Sequence, residues 1–298
     1  MKIGVLDFCF LRKGLQASDI LAETIGLVPL VESMGYSRYW FTEHHTPEAA
    51  HCCPELMLAA VAGLTSTIRV GAAGVLLRYY SPFKVASEFR LLHALYPGRI
   101  DLGLASAFID PAIEQLLVAD SGDYEEKVAQ LVDFLRDSAA AKVTPSAIAP
   151  PEVWILGQSK SVSLAALHGT AFCFGMFLGP NDPETCVRVV NEYRRGFRPS
   201  EGLQEPQASI AVAGICAESE RDARRLLAEH VDLKVTTSVV GDPGQCREQI
   251  EELCVGSGAN EIIFLDLCNT LQDRIRSYEL LAQACDLTSE PRIVQAKA

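Results

Sequence analysis

The amino-acid sequence predicts an α/β fold of the (β/α)₈ TIM-barrel type, built as a single domain over residues 1–298. Three observations carry that expectation. Short runs rich in β-branched and aromatic residues alternate with stretches of helical period, and the alternation occurs eight times. The length of 298 residues exceeds the common domain size but is ordinary for a closed barrel. The two loop-like segments, 139–151 and 199–206, are too short to separate domains. An open doubly wound sheet is the alternative arrangement of the same alternation.

The first strand is expected at 3–6. Ser18 can cap the helix that follows, whose Ile20, Val28 and Val31 are apolar, and Gly35 is suited to stop it. Further strands are expected at 39–42, 68–75, 100–104, 153–156, 171–175, 209–215 and 261–265, each followed by a helix-like segment. Leu271, Ile275, Tyr278, Ala282 and Cys285 recur in steps of four and three. They form one stripe of a last helix that seals the barrel. Residues 288–298 read as a polar tail that frays.

Composition narrows the function classes. Hydrophobic residues make up 49% of the chain, yet no apolar run reaches the roughly 18 residues of a membrane span. Met1 to Asp7 pass directly into strand-like sequence without a secretory leader, so a cytoplasmic location is expected. The ten cysteines are scattered through expected strands and helices, which reads as reduced, buried small hydrophobes. A net charge of −12 leaves no basic surface for a phosphate backbone, and nucleic acid is excluded as a partner.

In a barrel, chemistry is built just after the strands. The second strand runs into Trp40-Phe41-Thr42-Glu43-His44-His45, and His51 follows within a few residues. A neutral imidazole at a strand end can give or take a proton; the plainer alternative is a hydrogen-bonded structural histidine. Neighbouring strand residues face opposite ways, so only one of His44 and His45 is expected to enter a pocket. His44, His45, His51, Cys52 and Cys53 also carry zinc-ligand chemistry, but their spacing matches no zinc pattern, and no metal is expected. In the third strand, the small side chains of Ala72 and Ala73 would let a flat ring approach the backbone, although small residues also serve close packing. Gly157, Gln158, Ser159, Lys160 and Ser161 join the fifth strand to a helix, where backbone N–H groups and hydroxyls suit a phosphate or simply cap a turn. Ser106 is read as the end of the fourth strand.

Together these segments resemble the bacterial luciferase-like, flavin-dependent monooxygenases over nearly the whole chain. The most specific stretches are Tyr39 to His45, Leu58 to Ala62 with Thr65 to Gly71, Tyr80 to Ala86, Pro97 to Gly103, and Gly241-Asp242-Pro243 before the penultimate helix. The resemblance implies FMN at the C-terminal mouth of the barrel, its isoalloxazine over Ala72 and Ala73 and its phosphate at Gly157, Gln158, Ser159 and Ser161. It matches His44 to the histidine beside the flavin. It further implies a homodimer and reduced FMN (FMNH₂) delivered by a separate flavin reductase. Oxygen then gives a C4a-peroxyflavin, which oxygenates a small-molecule substrate while the site excludes water. Secondary metabolism is the setting that its departures suggest.

Those departures are specific. Relatives carry Arg near the flavin phosphate where this chain has Ala105-Ser106, so one cationic anchor is missing. A charge-assisted hydrogen bond contributes about 1.5–3 kcal/mol, a ten- to hundredfold loss of affinity unless Lys160 or Arg78 compensates. The segment after Ser106 is short, and His51-Cys52-Cys53 replaces small polar residues. Two alternatives therefore stand: a flavin-poor, catalytically silent barrel acting as a partner subunit or binding protein, and a deazaflavin-dependent reductase.

Overall fold

A computed structural model describes residues 1–117, 122–146, 148–179, 182–229 and 235–288. The strands are β1 (Lys2–Asp7), β2 (Arg38–Phe41), β3 (Arg69–Val75), β4 (Ile100–Leu104), β5 (Glu152–Gly157), β6 (Ala171–Gly175), β7 (Ala208–Cys216), β8 (Thr237–Gly241) and β9 (Glu261–Asp266). Eight of them, β1 to β7 and β9, close a barrel in which every neighbouring pair is parallel, β9 returning to β1. All eight expected strands are present. β8 is an addition that the sequence reading missed. It pairs with Ala213 to Cys216 of β7, beyond the point where β6 pairs with Ala208 to Ala211, and so lies outside the closed ring.

The helices are α1 (Ala17–Ser33), α2 (Pro54–Ala62), α3 (Pro82–Leu95), α4 (Pro111–Leu117), α5 (Tyr124–Leu135), α6 (Val162–His168), α7 (Pro183–Gly196), α8 (Glu220–Ala228), α9 (Pro243–Ser257) and α10 (Leu271–Ala284). Ser18 does not cap α1. The cap is Gln16, two residues earlier, and Asp19 reaches back to accept the Gln16 backbone N–H at 2.8 Å. Gly35 does end it, at φ 88°, and a Cβ there would meet the Thr288 backbone at 2.6 Å. Asp242 and Gln245 close a reciprocal capping box at α9, each backbone N–H 3.0 Å from the other side chain. α10 packs on β7, β9 and α1, with Tyr278, Leu281 and Ala282 buried, and seals that side of the barrel. Of the expected tail only Thr288 is described; 289–298 lie outside the described residues.

Two apolar layers result. One lies between the strands and the helices, and the other fills the barrel, where Trp40 and Trp154 meet edge to face at 5.1 Å. Below them the N-terminal end is plugged by charge. Arg38 pairs with Asp101 at 2.8 Å and with Glu261 at 2.7 Å, Arg69 also pairs with Asp101, and the Trp40 indole N–H donates to Asp101 at 2.8 Å. Arg38 also lies over both indole rings. All ten cysteines are free, and seven are buried. No described helix is long and apolar enough to cross a membrane.

Candidate active site

At the C-terminal ends of the strands the barrel opens into a cavity of about 650 Å³. Its floor is Leu6, Trp40, Leu156, Cys173 and Ala211, and its sides are the segments that follow β1, β2, β3, β4 and β6. A second cavity of about 450 Å³ lies at the opposite end, around Arg69, Gly98, Glu152 and Ala171, and shares no lining residue with the first.

His44 stands in the wall of the first cavity. Its ring is held between Phe8 and Phe10, each with its centroid 5.0 Å away, and its Nε2 is buried without a hydrogen-bond partner. These two rings are aimed by a tight turn in which Asp7 accepts the Cys9 N–H at 2.9 Å, while Tyr39 and Arg274 hold the same carboxylate. Burial pushes the His44 pKa down to about 4, and the neighbouring His51 and His45 add to that. The imidazole is therefore neutral at physiological pH, with one nitrogen free to hold or accept a proton.

The expectation that only one histidine enters the pocket is corrected: His45 lines it too. β2 ends at Phe41, so the chain through His44 and His45 no longer alternates between faces. His45 Nε2 lies 2.7 Å from Glu43 Oε1, which also accepts the Tyr80 hydroxyl at 2.6 Å. The other Glu43 oxygen accepts the Leu76 N–H at 2.9 Å. Sequence reasoning quoted Glu43 and Tyr80 without giving either a role and passed over Phe8 and Phe10. Only the carboxylate's place in the Glu43-His44-His45 run could have drawn attention to it.

His51 packs against Phe41 with both ring nitrogens buried and unpartnered, and burial lowers its pKa. The Cys52 and Cys53 sulfurs are 3.8 Å apart. Among the described residues no group of three or more His, Cys, Asp or Glu is arranged to hold a metal ion.

The remaining site residues divide. Ala73 lines the cavity with Gly74, but Ala72 is fully buried in the layer beneath the helices, one step along the pleat. Gly157 lines the cavity at φ 157°, where a Cβ would be strained and would also meet the Ser161 hydroxyl, so the turn favours glycine. Gln158 is committed elsewhere, its amide donating to the Leu178 carbonyl. Ser159 and Ser161 lie in a 3₁₀ turn, and among the described residues their hydroxyls make no hydrogen bond. Ser106 does not end a strand: β4 stops at Leu104, and Ala105 and Ala107 reach the cavity while Ser106 does not. Of the two cations named as compensation, Lys160 is exposed. The Arg78 guanidinium lies over Phe108 at 4.9 Å, beside the loop that carries Ser106, with its Nε buried and unpartnered.

Known proteins match this arrangement. A profile of the family described as luciferase-like monooxygenase covers residues 1–235. The N-acetyl-S-alkylcysteine monooxygenase of Bacillus subtilis (strain 168) is 32% identical over 250 residues, 79% of this chain and 73% of that protein. The solved structure of apo-MsnO8 has a TM-score of 0.87 at 30% identity, over 96% of this chain and 98% of that one. The oxygenating constituent of 3,6-diketocamphane monooxygenase from the CAM plasmid of Pseudomonas putida, in complex with FMN, shares the fold. Its TM-score is 0.76 at 17% identity, over 96% of this chain and 98% of that one. With a closed parallel barrel, a histidine in the loop that follows its second strand and a family profile over most of its length, the chain belongs to the luciferase-like monooxygenases and is a flavin-dependent monooxygenase.

Proposed function

We propose that this protein is the oxygenating component of a two-component system, taking reduced FMN from a separate reductase to oxygenate a small organic substrate. The observation that carries the reading is the neutral His44 imidazole, its buried Nε2 unpartnered in the wall of an apolar cavity at the barrel mouth. The residues present fit the cofactor: Ala73 and Gly74 in the cavity leave room for a flat ring, and the turn that follows Gly157, outside the cavity lining, offers the unengaged Ser159 and Ser161 hydroxyls and the Lys160 charge to a phosphate. Reduced FMN, once bound, supplies the two electrons that let one oxygen atom enter the substrate and the other leave as water. His44 holds or moves a proton at Nε2. Phe8, Phe10 and Phe177 keep water from it. Glu43 and Tyr80 fix the ring of His45 beside it. A homodimeric assembly and a cytoplasmic setting belong to the same proposal.

Anaerobic titration with reduced FMN, followed by rapid mixing with oxygen, tests it. Saturable binding in the parent is expected, together with retained folding and a 10²–10⁴-fold loss of coupled oxygenation in His44→Ala. Absence of binding would favour a silent barrel. A thermal shift with a deazaflavin coenzyme but not with FMN would favour the reductase.

A further inference from the structure

The charge of the cavity walls points beyond the cofactor to the substrate. The carboxylate and imidazole side chains that line the cavity are Glu43, His44, His45, Glu48 and Asp110, and among the described residues no Lys or Arg lines it. Glu48 and Asp110 are exposed at the entrance, whereas Glu43 is buried further in. Arg78 lies over Phe108, and Lys160 is exposed outside the cavity. An anionic group seated against these walls, unlike a phosphate held outside them by the 159–161 turn, would lose its hydration, meet carboxylates at the rim and inside, and find no counter-ion. Glu43 offers little to a cation either, because His45, Tyr80 and the Leu76 N–H already occupy its oxygens. What remains is apolar and aromatic surface from Phe8, Trp40, Leu156, Phe177 and Ile113, with Thr42 and Thr46 as neutral polar contacts.

We infer that the substrate is an uncharged, predominantly apolar compound, and that substrates carrying a carboxylate or sulfonate are disfavoured by the cavity's lining. The inference rests on the reading that this cavity is the oxygenation site. Its test needs no flavin. The chain's two tryptophans, Trp40 and Trp154, are in contact at the cavity floor, so the intrinsic fluorescence arises there. Titration with methyl 4-nitrobenzoate, 4-nitrobenzoate and 4-nitrobenzylamine, with correction for absorbance, reports how one ring binds when neutral, anionic or cationic. The ester is expected to quench with a dissociation constant at least about tenfold below those of both ions. In Asp110→Asn/Glu48→Gln the gap between ester and carboxylate should narrow severalfold. Equal or tighter binding of the carboxylate, tightest binding of the amine, or no quenching by any of the three would overturn the inference. Selective ester binding in a protein that fails to bind reduced FMN would uphold the cavity's selectivity while removing the flavin reading.

Discussion

Protonating His44 should destabilise the fold, and the size of the effect follows from its surroundings. Its ordinary pKa of 6.5 falls to about 4 in the fold, first through burial and then through His51 and His45. Above pH 6.5 the imidazole is neutral whether the chain is folded or not, so the contribution to stability is complete. As pH falls from 6.5 towards 4, the unfolded chain takes up a proton that the folded chain refuses, and stability is lost. The full difference is about 3 kcal/mol; between pH 7.5 and 5.5 the loss is about 1.3 kcal/mol. Both conditions lie above the sequence pI of about 5.0. The perturbation is His44→Gln, which keeps a polar side chain but removes the titration. Urea unfolding of parent and variant at the two pH values is the assay. The parent should lose about 1.3 kcal/mol more than the variant. His51, His93 and His168, also held below their ordinary values, remain in both proteins and leave the comparison intact. Equal losses, or an imidazole NMR titration of His44 near 6.5, would refute the argument that burial between Phe8 and Phe10 keeps the ring neutral.

Two further outcomes are expected. Ser159→Ala and Ser161→Ala should each weaken reduced-FMN binding by about three- to tenfold with little change in turnover at saturating flavin; unchanged affinity in both would remove the phosphate assignment. Asp101→Ala leaves Arg38 buried without its 2.8 Å partner and also breaks the contacts to Arg69 and Trp40, so urea unfolding should register a loss of about 3–5 kcal/mol. A change below about 1 kcal/mol would mean that Glu261 and Glu152 compensate for the lost charge.

The barrel was legible because its strands are buried on both faces and therefore appear as short continuous apolar runs between helical stretches. β8 escaped because Thr237 and Ser238 open it with polar residues and it pairs along one edge only, so it carries no such run. His44 stood out as an imidazole immediately after a strand. The entry of His45 did not, because alternation was carried past Phe41, where β2 stops. The Glu43 and Tyr80 contact joins residues 37 positions apart, and the Gln158 to Leu178 bond spans 20 positions. No local spacing encodes either. Ala72 and Ala73 are alike in the sequence and were both assigned to the flavin; the pleat sends one to the cavity and the other under the helices. The expected bounds of the fourth strand, 100–104, match β4; naming Ser106 as its end carried the strand two residues past Leu104.

The plug of Arg38, Asp101 and Glu261 beneath the tryptophan pair makes the barrel a well with one entrance. Two ligands that occupy such a well cannot exchange independently. Whichever rests nearer Trp40 must arrive first and depart last, and the one nearer Glu48 and Asp110 arrives second and departs first. If the proposed flavin and substrate share this well, steady-state kinetics are expected to show a compulsory order of addition. The deeper ligand's release is slowed whenever the outer one is present in excess.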